Sequence, residues 1–153
     1  MNLYNLILHK VLFVCTANIF RSRFAEEVFN FLAIKEKIPN RAFSAGLKVG
    51  EYHIRKIYRP ALEQLEKLNI KPSRPNELSL HIDEVELTKY DQLICMDEAE
   101  HKPMVLSNSK LKEFNFEYWD IVDEPKVQSD VSLPICYIKV KELVDDLKNK
   151  TRI

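Results

Sequence analysis

Val11-Leu12-Phe13-Val14-Cys15-Thr16-Ala17-Asn18-Ile19-Phe20-Arg21-Ser22 is the stretch that decides how the chain is read. Its first four residues form a continuous β-branched and aromatic run, as expected for a strand buried on both faces. After Ser22 the period changes. Phe24, Val28, Phe31 and Leu32, with Ala25 and Phe29 beside them, recur at helical spacing as far as Ala33. Glu26, Glu27 and Asn30 fall on the opposite side, which predicts an amphipathic helix with those three toward solvent.

The same alternation continues outward. Arg41 to Ala45, closed by Gly46, reads as a second strand, and Pro60 opens a helix with Leu62, Leu65 and Leu68 on one face. Asp91 to Met96 reads as a third strand. Asp97 and Glu100 stand at N-cap and N3 spacing for a following helix that Pro103 is expected to shorten. Phe114, Phe116 and Tyr118 alternate with polar residues, as in an edge strand, and Cys136, Val140, Leu143 and Leu147 stripe a last helix begun near Pro134. Strand and helix in strict alternation predict an α/β fold of three α/β/α layers around a four-stranded parallel sheet. Ligands in such sheets sit beyond the carboxyl ends of the strands, where the Cys15 loop lies.

The 153 residues suit one domain, residues 1–153, with 1–9 as an N-terminal extension. Lys plus Arg and Asp plus Glu both number 23, so no basic excess points to nucleic acid or to a membrane surface. No apolar run approaches the roughly 20 residues of a membrane span, and Met1 to Leu8 lacks the form of a signal peptide. Three widely spaced cysteines, Cys15, Cys95 and Cys136, do not form a disulfide framework, and a reducing cytoplasm is the expected setting. His81 and His101 have no second ligand at metal spacing and read as solvated or capping residues. Neither a metal nor an organic cofactor is expected.

A tight loop at a helix N-terminus turns backbone N–H groups inward and adds the positive end of the helix dipole, which suits a phosphate dianion. Thr16, Ala17, Asn18, Ile19, Phe20, Arg21 and Ser22 are the candidate phosphate-binding residues, with Arg21 supplying a planar fork for two oxygens. The same positive surroundings favour a thiolate at Cys15, the candidate nucleophile, and Ser22 can steady it by a hydrogen bond. The loop has no glycine, so Asn18 is expected to take the positive φ of its turn.

The ordered set resembles the low-molecular-weight protein tyrosine phosphatase family, which carries Cys-x5-Arg-Ser directly after its first strand. The resemblance rests on Phe13 to Ile19, Ala25-Glu26, Ser44-Ala45-Gly46, Tyr90 to Asp97, and an acidic motif near the C-terminus. It implies hydrolysis of a phosphate monoester, in a phosphorylated protein (phosphotyrosine foremost) or a small molecule, through a phosphocysteine. It also implies an aspartic acid that protonates the leaving group and then activates water. In Trp119-Asp120-Ile121-Val122-Asp123-Glu124-Pro125 that role falls to Asp123, with Asp120 as the alternative.

The chain departs from the family pattern in three places. Phe20 stands where many members carry a second loop cysteine, Glu124 stands where a proline usually follows the acid, and the aromatic wall after the acid is missing. Tyr52, His53 or Tyr58 can supply such a wall, although packing or surface roles are their default reading. Two competing functions remain. An arsenate reductase needs a resolving thiol pair near the end of the third strand, where Cys95 has Lys102 seven residues on. A phosphate-binding module would keep the loop without turnover.

Overall fold

The computed structural model describes residues 9–50 and 55–151. Four strands, β1 (Lys10–Cys15), β2 (Arg41–Gly46), β3 (Gln92–Cys95) and β4 (Phe116–Tyr118), form one sheet in the order β2-β1-β3-β4. Every neighbouring pair is parallel, and Cys15 lies level with Gly46 at the carboxyl edge. The helices are α1 (Arg21–Lys35), α2 (Arg59–Lys67), α3 (Glu98–Leu106) and α4 (Ser129–Thr151). The expected α/β/α architecture is the observed one.

β1 shows why a strand must be apolar throughout when helices cover both faces. Val11, Phe13 and Cys15 pack with Phe24 and Val28 of α1, Leu65 of α2, and Val140 and Val144 of α4. Leu12 and Val14 point the other way, into a second cluster with Ile82, Val105 of α3 and Leu111. Phe13 is fully buried, with its ring against Phe29 and Trp119. Burying a side chain of this size is worth ~1.5–3 kcal/mol. From β1 the chain crosses to β2 on one side and then returns to β3 on the other. That reversal opens a crevice beyond the carboxyl ends of β1 and β3, with Cys15 at its floor.

Several expectations change. Glu26 and Glu27 do not face solvent, being 1% and 4% exposed, whereas Phe31 is 37% exposed. Arg74 reaches over α1 and binds Glu26 through two nitrogens, Ser44 donates to the same carboxylate, and Glu27 accepts from the Ser73 hydroxyl. Buried carboxylates persist because each is paired in this way. Pro103 does not end α3, which continues to Leu106, and Pro134 lies inside α4, which begins at Ser129. Each proline removes one intrahelical hydrogen bond, and packing around Val105, Leu133 and Cys136 offsets that loss. Phe114 ends a short 3₁₀ turn rather than joining β4.

Candidate active site

Asn18 organises the loop between β1 and α1. Its φ is 58°, the left-handed conformation expected of it, and its side chain is buried. The amide nitrogen donates to Ser22 Oγ at 2.8 Å and to Ser44 Oγ at 2.9 Å, while the amide oxygen accepts from the Leu80 N–H at 2.9 Å. Because Ser22 Oγ already accepts from Asn18, its own proton is free for Cys15 Sγ, 2.9 Å away. Ser44 Oγ in turn donates to Glu26 Oε1 at 2.6 Å. One hydrogen-bonded chain thus runs from the buried Glu26 carboxylate of α1 to the sulfur.

The loop is also held from outside. Leu47 and Lys48, just past β2, donate their N–H groups to the carbonyls of Cys15 and Thr16 at 2.9 and 2.8 Å. Gly46 permits this approach, since a Cβ there would lie 2.7 Å from the Thr16 carbonyl oxygen.

A cleft of about 280 Å³ opens above the loop, lined by Cys15, Thr16, Ala17, Ile19, Phe20 and Arg21 together with Tyr58, Asp123 and Glu124. Asn18 and Ser22 lie behind this lining. Arg21 is 1% exposed and donates through Nη1 to the Ile121 carbonyl and through Nη2 to Glu100 Oε2, both at 2.9 Å. Asp123 Oδ2 stands 3.4 Å from Nη2. Burial pulls the Arg21 pKa down, but the charge on Cys15, the hydrogen bond to Glu100 and the charge on Asp123 outweigh it, and the pKa is raised. The Asp123 carboxyl is pushed up, chiefly by burial and further by Glu100 and Glu124, with Arg21 opposing. Asp120 points away: its side chain is 81% exposed and pairs with Lys139 at 3.7 Å.

Glu100 differs from expectation, while His101 caps the start of α3 from a buried position. Asp97 occupies the N-cap of α3 without a side-chain cap, and its N–H donates to His101 Nδ1 at 3.1 Å. No reciprocal capping box forms, because Glu100 turns instead to the Arg21 guanidinium, a charged donor stronger than a backbone amide. Glu100 Oε2 also accepts from the Thr16 hydroxyl and lies 3.1 Å from His101 Nε2. Burial alone would raise the Glu100 pKa, but hydrogen bonds from His101, Arg21 and Thr16 and the guanidinium charge hold it far below the carboxylate range. His101 is fully buried rather than solvated. His81 does cap, its Nδ1 accepting from the Asp83 N–H.

Sequence spacing marks Glu100 only as a cap and Glu124 only as a departure from the family pattern, whereas the fold sets Glu100 on Arg21 and Glu124 in the cleft lining. The available signal was positional, since α3 starts at the carboxyl end of β3, beside the loop. Tyr58 meets Phe20 edge to face at 5.8 Å and walls the cleft. Tyr52 and His53 lie outside the described residues. Cys95 and Cys136 are buried, and burial pushes both thiols up to about 12. No His, Cys, Asp or Glu cluster among the described residues is arranged to hold a metal.

A buried-strand cysteine, an arginine opening the next helix and an aspartic acid thus line one small cleft. The chain belongs to the low molecular weight phosphotyrosine protein phosphatase family, whose model matches residues 10–150. Among solved structures, YfkJ from Bacillus subtilis is 25% identical with a TM-score of 0.78, covering 93% of this chain and 96% of its own. The low molecular weight protein tyrosine phosphatase from T. tengcongensis is 26% identical with a TM-score of 0.68, covering 93% and 99%. An arsenate reductase from Archaeoglobus fulgidus is 25% identical with a TM-score of 0.66, covering 88% and 98%. No curated protein sequence matches.

Proposed function

We propose that the protein hydrolyses phosphate monoesters, protein phosphotyrosine foremost, with Cys15 as nucleophile, Arg21 as phosphate ligand and Asp123 as general acid and base. The observation that carries this reading is the convergence of Cys15, Arg21 and Asp123 on one small cleft at the start of α1. The phosphate is bound by the loop from Thr16 to Ser22, its charge met by Arg21 and by the helix N-terminus. The Cys15 thiolate attacks phosphorus; the S–P bond forms as the ester P–O bond breaks, and Asp123 gives its proton to the departing oxygen. The resulting Asp123 carboxylate then takes a proton from water as that water attacks phosphorus, and the S–P bond breaks with help from Ser22. Phe20 and Tyr58 offer an aromatic wall to a phenyl ring.

An arsenate reductase reading requires resolving thiols. Cys95 and Cys136 are buried, with thiols pushed up to about 12, and are poorly suited to that role. The three unpaired cysteines support a reducing, cytoplasmic setting.

The test compares Asp123→Ala with Asp120→Ala on an aryl phosphate with a poor leaving group. Asp123→Ala is expected to lower kcat about 10²–10³-fold. Because Asp123 must be protonated for the first step, its raised pKa carries the high-pH limb of kcat upward from an ordinary aspartic acid, and this variant loses that limb. Asp120→Ala is expected to stay within about twofold, its exposed pair with Lys139 contributing little. The reverse ranking refutes the assignment of the acid. Phosphate binding without turnover would make the protein a binding module instead.

A further inference from the structure

Arg21 Nε is buried and has no hydrogen-bond partner, although the rest of the guanidinium is engaged. An orphaned buried donor is costly, and an incoming phosphate oxygen would satisfy it. What sets its direction is the opposite part of the fork, where Ile121 O takes Nη1 and Glu100 Oε2 takes Nη2. We infer that Glu100 is the positioning residue that fixes the Arg21 fork for phosphate, linking it to Thr16 beside the nucleophile and to buried His101. This rests on the reading of Arg21 as the phosphate ligand.

Three observations carry it. Glu100 is absent from the cleft lining, so its carboxylate, 28% exposed, meets Arg21 outside the cleft rather than in the phosphate position. A single oxygen, Oε2, gathers the Thr16 hydroxyl, Arg21 Nη2 and His101 Nε2, which ties the loop, the arginine and α3 to one point. His101 is itself fixed: because its Nδ1 accepts from the Asp97 N–H, the ring carries its proton on Nε2 and presents it to Thr16 Oγ1 and Glu100 Oε2, each 3.1 Å away. The negative charge is therefore met by the Thr16 hydroxyl and Arg21 Nη2, with His101 Nε2 beside them. Arg21 is held without giving up its Nε–H, and its Nη2 lies closer to Glu100 Oε2, at 2.9 Å, than to Asp123 Oδ2, at 3.4 Å. A bare helix cap would not need a buried histidine aimed at the same oxygen.

The experiment measures binding of inorganic phosphate by calorimetry in Cys15→Ser, Cys15→Ser/Glu100→Ala and Cys15→Ser/Glu100→Gln, each well below its melting midpoint. In parallel, KM for an aryl phosphate is measured in the same Glu100 variants with Cys15 intact. Glu100→Ala is expected to weaken phosphate binding and raise KM about tenfold or more, because a misdirected ligand costs affinity steeply. Glu100→Gln keeps the carbonyl acceptor and is expected to stay within about threefold of the parent. Unchanged or tighter phosphate binding in Glu100→Ala overturns the inference, including when its melting midpoint falls. Equal losses in the Ala and Gln variants also overturn it, since charge rather than placement would then be at work. Absence of phosphate binding in Cys15→Ser itself overturns the underlying site reading instead.

Discussion

Asn18 sits in the left-handed region at φ 58°, and both ends of its amide are hydrogen-bonded in a buried setting. The turn was legible in the sequence, because asparagine tolerates that conformation better than other residues with a side chain. Its partners were not, since Ser44 and Leu80 come from distant segments that only the fold brings together. Two substitutions separate the two contributions. Asn18→Gly keeps the backbone at ease and loses the hydrogen bonds, whereas Asn18→Ala loses both. Urea unfolding is expected to show Asn18→Ala the less stable of the pair, by about 1 kcal/mol or more. Equal stability of the two would mean that the backbone conformation carries no strain. Arg21 and Cys15 stood out by spacing alone, while Glu100 was hidden because a carboxylate at N3 already has an ordinary explanation as a cap.

At the scale of elements, the loop is a product of three neighbours: β1 that delivers Cys15, α1 that begins with Arg21, and the segment after β2 that donates to its carbonyls. Gly46 is where the last of these comes close. A methyl at that position meets backbone at Thr16, which cannot swing aside as a side-chain tip can. Gly46→Ala is therefore expected to cost about 1–3 kcal/mol in urea unfolding, and to lower kcat/KM about tenfold by shifting the loop. Wild-type kinetics in that variant would show that the loop does not depend on its backing. The strands were legible from their apolar runs, and α1 from its period. The solvent face assigned to Glu26 and Glu27 was wrong because helical periodicity cannot register Arg74, which arrives from far along the chain to pair with Glu26. The end of α3 and the start of α4 differ from expectation at Pro103 and Pro134, where burial outweighs a lost hydrogen bond.

Across the whole molecule, strict strand–helix alternation was enough to read a parallel sheet covered on both faces, and strand order then places the crevice at the end of β1. What the sequence could not supply was the convergence itself. Asp123 lies 3.4 Å from Arg21 across a separation of 102 positions, while Asp120, three residues earlier, points outward to Lys139. The most direct test of the account is mass analysis of acid-quenched Asp123→Ala during turnover of an activated aryl phosphate, a substrate that needs little help in leaving. With the base for the second step removed, a single phosphoryl group is expected to accumulate on Cys15, and none in Cys15→Ser. Steady hydrolysis with no adduct on Cys15, or an adduct on another residue, would contradict it.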